Sequence, residues 1–159
     1  MRHVLSILVE NEPGVLSRVA GLFSGRGYNI ETLNVGPTLD REVSLMTITT
    51  SAPEVVIEQI IKQLRKLVTV IKVVDMNDHV AVEREMMLVK VGAEGEKRAE
   101  ILRIVDIFRC KVVDVSSDEL TIEATGDRGK LEAIIALLQR FGIKEIARTG
   151  AVAMKRSMQ

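Results

Sequence analysis

The 159-residue sequence contains one cysteine, no tryptophan, two histidines and three prolines. The single thiol, Cys110, rules out an intramolecular disulfide, so nothing in the chain calls for an oxidising compartment. Only Phe23, Tyr28, Phe108 and Phe141 are aromatic, which leaves an aliphatic core and no platform for stacking bases or sugars. Neither charge is in excess. Lys plus Arg is 22 and Asp plus Glu is 22, against the basic surplus that nucleic-acid binding or a polybasic membrane anchor requires. The longest apolar runs, such as Met86-Met87-Leu88-Val89, fall far short of a membrane span. Met1-Arg2-His3-Val4-Leu5-Ser6 leads directly into a strand-like segment with Glu10 close behind, which does not read as a signal peptide. A cytoplasmic protein is expected.

What is present is patterned. Hydrophobic residues make up 47% and charged residues 28%, the proportions of a globular chain that could form one domain or two smaller ones. Leu5, Ile7 and Val9 alternate in a strand over residues 3–10. Asn11-Glu12-Pro13-Gly14 then stops the strand and starts a helix, with Pro13 suited to its first turn and Val15, Val19, Leu22 and Phe23 on one face. Gly25-Arg26-Gly27 ends that helix. Residues 29–36 and 43–50 read as strands joined by a turn at 37–40. A helix from Pro53 carries Ile57, Ile60, Ile61 and Leu64, and a strand over 69–74 closes the set.

The order restarts after Met76-Asn77-Asp78-His79. A strand over 85–91 is followed by a helix marked by Ile101, Ile104, Val105 and Phe108. A hairpin of 111–116 with 119–125 comes next, then a helix marked by Leu131, Ile134, Ile135 and Leu138, then a last strand over 143–149. The expectation is an α+β chain of two tandem βαββαβ units on the ferredoxin-like plan, 1–76 and 85–159, joined by a linker at 77–84. Apolar residues also lie on the second face of the strands, Val4 and Leu8 among them, so a homodimer at least is expected.

No catalytic constellation is legible. His3 and His79 read as solvated side chains, and neither points to a metal or a general base. Cys110 follows Arg109, a basic setting that lowers a thiol pKa, yet no histidine is near to activate it, and a small half-buried thiol is the better account. Gly126-Asp127-Arg128-Gly129-Lys130 imitates the end of a phosphate-binding loop, but its glycines are too close and Leu131 replaces the Ser or Thr that holds magnesium. Asp127 as a helix N-cap explains it better. The aromatics lie outside the central strands, which disfavours an RNA-recognition domain.

The informative segment is Asn11-Glu12-Pro13-Gly14-Val15-Leu16. A helix start offers unpaired N–H groups that attract a carboxylate, and Gly14 has no side chain to block the approach. Asn11 both donates and accepts hydrogen bonds, while Val15 and Leu16 supply an apolar wall. Asn29 next to Ile30 repeats the recipe. From the residues alone, Asn11 and Pro13-Gly14 read first as ordinary helix-start punctuation, and second as a ligand site. The second unit enters its first helix without such a segment.

Asn11-Glu12-Pro13-Gly14-Val15-Leu16-Ser17-Arg18 and Gly27-Tyr28-Asn29-Ile30-Glu31 resemble the ACT domain of the regulatory (small) subunit of acetolactate synthase, also called acetohydroxyacid synthase. Gln63-Leu64-Arg65-Lys66-Leu67 and Val82-Glu83-Arg84-Glu85-Met86-Met87-Leu88-Val89-Lys90-Val91 extend the resemblance, which covers essentially the whole chain. It implies a non-catalytic subunit that binds and activates the catalytic (large) subunit and confers feedback inhibition by valine in branched-chain amino acid biosynthesis. It implies no cofactor on this chain, with thiamine diphosphate, Mg²⁺ and FAD on the partner. It further implies two ACT domains paired into one eight-stranded sheet. Valine would then lie between Asn11, Gly14, Val15 and Leu16 of one chain and Asn29 and Ile30 of the other. The alternatives weighed are a stand-alone amino-acid sensor acting on another target and a small enzyme on the same scaffold.

Overall fold

A computed structural model describes residues 1–157. It forms two compact units, one of residues 1–82 together with the stretch from Gly150 onward, the other of residues 83–149.

The first unit comprises β1 (Arg2–Glu10), α1 (Val15–Ser24), β2 (Thr32–Pro37), β3 (Val43–Ser51), α2 (Glu54–Arg65) and β4 (Val70–Asp75). The sheet order is β2-β3-β1-β4, every pair antiparallel. Strand alternation turns Leu5, Ile7 and Val9 of β1, and Met46 and Ile48 of β3, toward the helices. There they meet Val15, Val19 and Phe23 of α1 and Ile57, Ile60 and Leu64 of α2, spaced three and four residues apart as a helix requires to bury one face.

β5 (Ala81–Gly92) carries the chain from the first unit into the second. α3 (Lys97–Ile107), β6 (Lys111–Val115), β7 (Glu119–Gly126), α4 (Arg128–Leu138) and β8 (Ile143–Arg148) follow. The order β6-β7-β5-β8 repeats that of the first sheet. Met87, Val89 and Val91 with Leu120, Ile122 and Ala124 form the sheet side of its core. Asp127 caps α4 by accepting a 2.9 Å hydrogen bond from the Lys130 N–H, as its position after β7 suggests. The two βαββαβ units of the α+β plan are therefore both formed.

Four details depart from the sequence reading. The strand expected over 29–36 begins only at Thr32, so Asn29 and Ile30 lie in the irregular lead-in. The first helix opens at Val15, after Gly14 rather than at Pro13. A ninth strand, β9 (Val152–Lys155), follows the expected last strand, and from Gly150 onward the chain packs with the first unit rather than the second. Ala153 joins Val4 and Met76 in a small buried cluster, and the Arg156 N–H donates to the Val80 carbonyl at 2.8 Å. Gly150 has φ 82°, and a Cβ there would lie 3.0 Å from the Thr32 Cβ, so glycine allows both the turn and the close approach.

His3 is the fourth. It is 1% exposed, not solvated. Alternation places it on the same face as Leu5, and its Nδ1 lies 2.7 Å from Asp75 Oδ2 at the end of β4. Asp75 also accepts a 3.0 Å hydrogen bond from the Asn77 N–H, capping the short 3-10 turn that follows. A buried imidazole is tolerated here because a carboxylate faces it. His79 is exposed.

Candidate functional site

Gly14 is the N-cap of α1, with φ 86° and ψ −9°, and no side chain caps the helix. A Cβ at Gly14 would meet nothing within 4 Å. The glycine is therefore required by its left-handed backbone rather than by crowding, and the space over it is open. The first N–H groups of α1 look out on that space without a side-chain acceptor, and Asn11, Glu12, Pro13 and Gly14 are all exposed. Val15 is buried beneath the opening, at 2% exposure, while Leu16 is 44% exposed at its rim.

Asn11 is fixed by the turn between β2 and β3. Its N–H donates to the Glu42 carbonyl at 2.7 Å and its side-chain amide donates to the Arg41 carbonyl at 3.0 Å. This leaves the amide oxygen and a second N–H of Asn11 available. The residues of that turn carry no motif of their own, so sequence reasoning did not select Arg41 or Glu42 as supports.

Asn29 and Ile30 lie at the opposite end of β3. The Thr50 hydroxyl donates to the Asn29 carbonyl at 2.7 Å, and the Glu31 N–H donates to the Thr49 carbonyl at 2.8 Å. Asn29 is exposed, whereas Ile30 is half-buried against the core. Glu42 and Thr50 are separated by most of β3, roughly 25 Å at the rise of an extended strand. Within one chain, Asn11, Gly14, Val15 and Leu16 come together, and Asn29 and Ile30 stand apart from them.

Between these two ends runs β2, an edge strand of the first sheet. Its residues are exposed or half-buried throughout, Val35 at 46%. Such an edge presents unpaired backbone donors and acceptors to a further strand.

Two further polar features lie outside this site. Cys110 is half-buried, and burial pushes its thiol pKa up, with Lys130 only partly offsetting the effect. The lowering expected from its basic setting is therefore overturned by desolvation. The Arg148 guanidinium grips Glu85 at 2.7 and 3.1 Å, tying β8 to the start of the second unit's β5 segment and raising the Arg148 pKa further. Among the described residues no three His, Cys, Asp or Glu side chains gather as a metal cluster would need. No helix among them is long and apolar enough to cross a membrane.

A helix opened by a left-handed glycine on a βαββαβ sheet is the arrangement of an ACT-type regulatory domain. The family model described as "AHAS small subunit-like ACT domain" matches residues 5–72, and that described as "Small subunit of acetolactate synthase" matches residues 84–157. The acetolactate synthase small subunit of Mycobacterium bovis is 53% identical over 97% of this chain and 92% of its own length. That of Aquifex aeolicus is 53% identical over 99% of this chain and 82% of its own length. The crystal structure of the Thermotoga maritima acetolactate synthase small subunit superposes with a TM-score of 0.89 at 44% identity, covering 100% of this chain and 99% of that one. The chain belongs to the acetolactate synthase small-subunit family.

Proposed function

We propose that this chain is the non-catalytic regulatory subunit of acetolactate synthase, activating the catalytic subunit and making it responsive to valine. The observation that carries the assembly role is 53% identity along nearly the full length of proteins named as that small subunit. Thiamine diphosphate, Mg²⁺ and FAD belong, on this reading, to the catalytic partner.

The ligand role is supported by the geometry of α1 and β2. The open helix start at Gly14 suits a carboxylate, and the exposed amides of Asn11 and Asn29 suit an ammonium and a second carboxylate oxygen. Antiparallel pairing of two β2 edges about a two-fold axis would bring the start of one β2 to the end of the other. Asn29 and Ile30 of the second copy would then approach Asn11 and Gly14 of the first, closing the gap of roughly 25 Å that one chain leaves open. Leu16 and Ile30 would supply apolar wall for an isopropyl group. Because both copies contribute, the ligand would favour one arrangement of the dimer, and only such differential affinity shifts what a catalytic partner feels. Leucine and isoleucine, differing by one methylene, would be discriminated by only about 1–3 kcal/mol, so a partial response to them is expected.

The test is reconstitution with the catalytic subunit, with and without valine, beside calorimetry on the isolated chain. Activation by the chain and its reversal by valine are expected. Gly14→Asp is expected to abolish valine binding, by setting a carboxylate against that of the ligand, while the variant still activates. A homodimer that ignores valine would remove the ligand assignment, and absence of any activation would remove the subunit assignment.

A further inference from the structure

A cleft of about 530 Å³ on the helical side of the first unit is lined by Arg26, Gln59, Lys62, Gln63, Arg65 and Lys66. Four of these six residues are cations, and none is acidic. Gln59 is three and four residues before Lys62 and Gln63 on α2, and Lys66 at the C-cap is four and three residues after them, all on the face opposite buried Ile57, Ile60 and Leu64. Arg26, just beyond α1, reaches across to Gln59 with a 3.2 Å hydrogen bond, a neutral partner. Ion pairs lie elsewhere: Lys90 with Glu145, Arg128 with Glu132, Arg140 with Glu100 and Arg148 with Glu85. Arg26, Lys62, Arg65 and Lys66 have no carboxylate within ion-pair distance among the described residues.

Lysines and arginines in a last helical turn favour its carbonyl end, which accounts for Lys62, Arg65 and Lys66 taken one at a time. It does not account for Arg26, contributed from another element, nor for placing Lys62 and Lys66 four residues apart, where like charges repel. In a chain whose total charge is zero, four cations drawn from two elements around one cleft, with no acid in its lining, make a local positive patch that an acidic surface would complement.

We infer that this cleft is the surface on which the catalytic subunit docks, through a carboxylate-bearing segment of that partner. The inference rests on the small-subunit reading. A nucleotide or nucleic acid is poorly served, because no aromatic side chain lines the cleft to stack a base. A compact phosphate is poorly served as well, because the helix ends here present carbonyls rather than N–H groups. Carboxylates spread along a protein surface meet extended Lys and Arg side chains one by one, and such complementarity sets register and speeds encounter.

The chain is titrated into the purified catalytic subunit while acetolactate formation is followed. For Lys62→Glu/Lys66→Glu, the concentration giving half-maximal activation is expected to rise roughly tenfold or more. The wild-type value is expected to climb between about 50 and about 500 mM salt, and that of the variant to climb far less. Lys62→Gln/Lys66→Gln should fall between them. Melting temperature and native mass of each variant establish that it is folded. A folded charge-reversed variant that activates at the wild-type concentration would overturn the inference. So would an equal loss in Lys111→Glu/Lys144→Glu, which alters two exposed lysines of the second unit. Tight binding of tripolyphosphate without effect on assembly would assign the cleft to a small polyanion and overturn it too. If the wild-type chain itself fails to activate, the small-subunit reading fails instead.

Discussion

Gly14 and His3 illustrate two ways in which one residue fixes this molecule. At Gly14 the constraint is conformational: a φ of 86° in open space admits side chains sterically but at a cost of about 1–2 kcal/mol for the left-handed backbone. At His3 the constraint is electrostatic. Its imidazole is enclosed and meets Asp75 at 2.7 Å, and Asp75 also holds the Asn77 N–H. Asp75→Ala removes both acceptors from buried surroundings and is expected to lower stability by about 2–4 kcal/mol, with Asp75→Asn milder, in urea denaturation. Sequence reading took His3 for a solvated side chain because its partner is 72 residues away, and nothing local announces a long-range pair. The glycine was legible as a helix start, since that signal lies in the five residues around it.

At the scale of elements, the edge strand β2 separates the two halves of the candidate site. Val35, 46% exposed on that strand, sits where a paired copy would meet it. Val35→Asp would bring two carboxylates together about a two-fold axis, opposing association. A monomer by sedimentation and a valine response weakened at least tenfold are expected; a stable dimer at micromolar concentration would exclude β2 as the joint. The helices and inner strands were legible because three- and four-residue or two-residue apolar spacing runs through them. The start of β2 was misplaced because Asn29 and Ile30 read as strand by composition, while the Asn29 carbonyl is held by a side chain, the Thr50 hydroxyl, and the first backbone bond to β3 is made by the Glu31 N–H to the Thr49 carbonyl. β9 was missed because Ala151 and Ala153 give too faint an alternation, and Ala153 is buried with Val4 and Met76, far away in sequence.

Taken as a whole molecule, the chain divides between Val82 and Glu83, inside the 77–84 stretch where the repeat restarts, although that stretch ends in β5 rather than in a free linker. What the repeat does not announce is that the stretch from Gly150 returns to the first unit. Truncation after Thr149 is therefore expected to weaken the first unit while sparing the second. Hydrogen exchange would show faster amide exchange in β1 and β4 and little change in β7; the reverse pattern would count against the returning strand as a structural part of the first unit.

That return also orders events during synthesis. Domains often consolidate as they leave the ribosome, earliest residues first. Here residues 83–149 have all of their own strands once Arg148 has emerged, whereas the half begun at Met1 waits for Ala153 to cover Val4 and Met76. The portion translated first is thus the portion finished last, and a nascent chain stalled before Gly150 would expose an uncovered sheet face to the cell's chaperones.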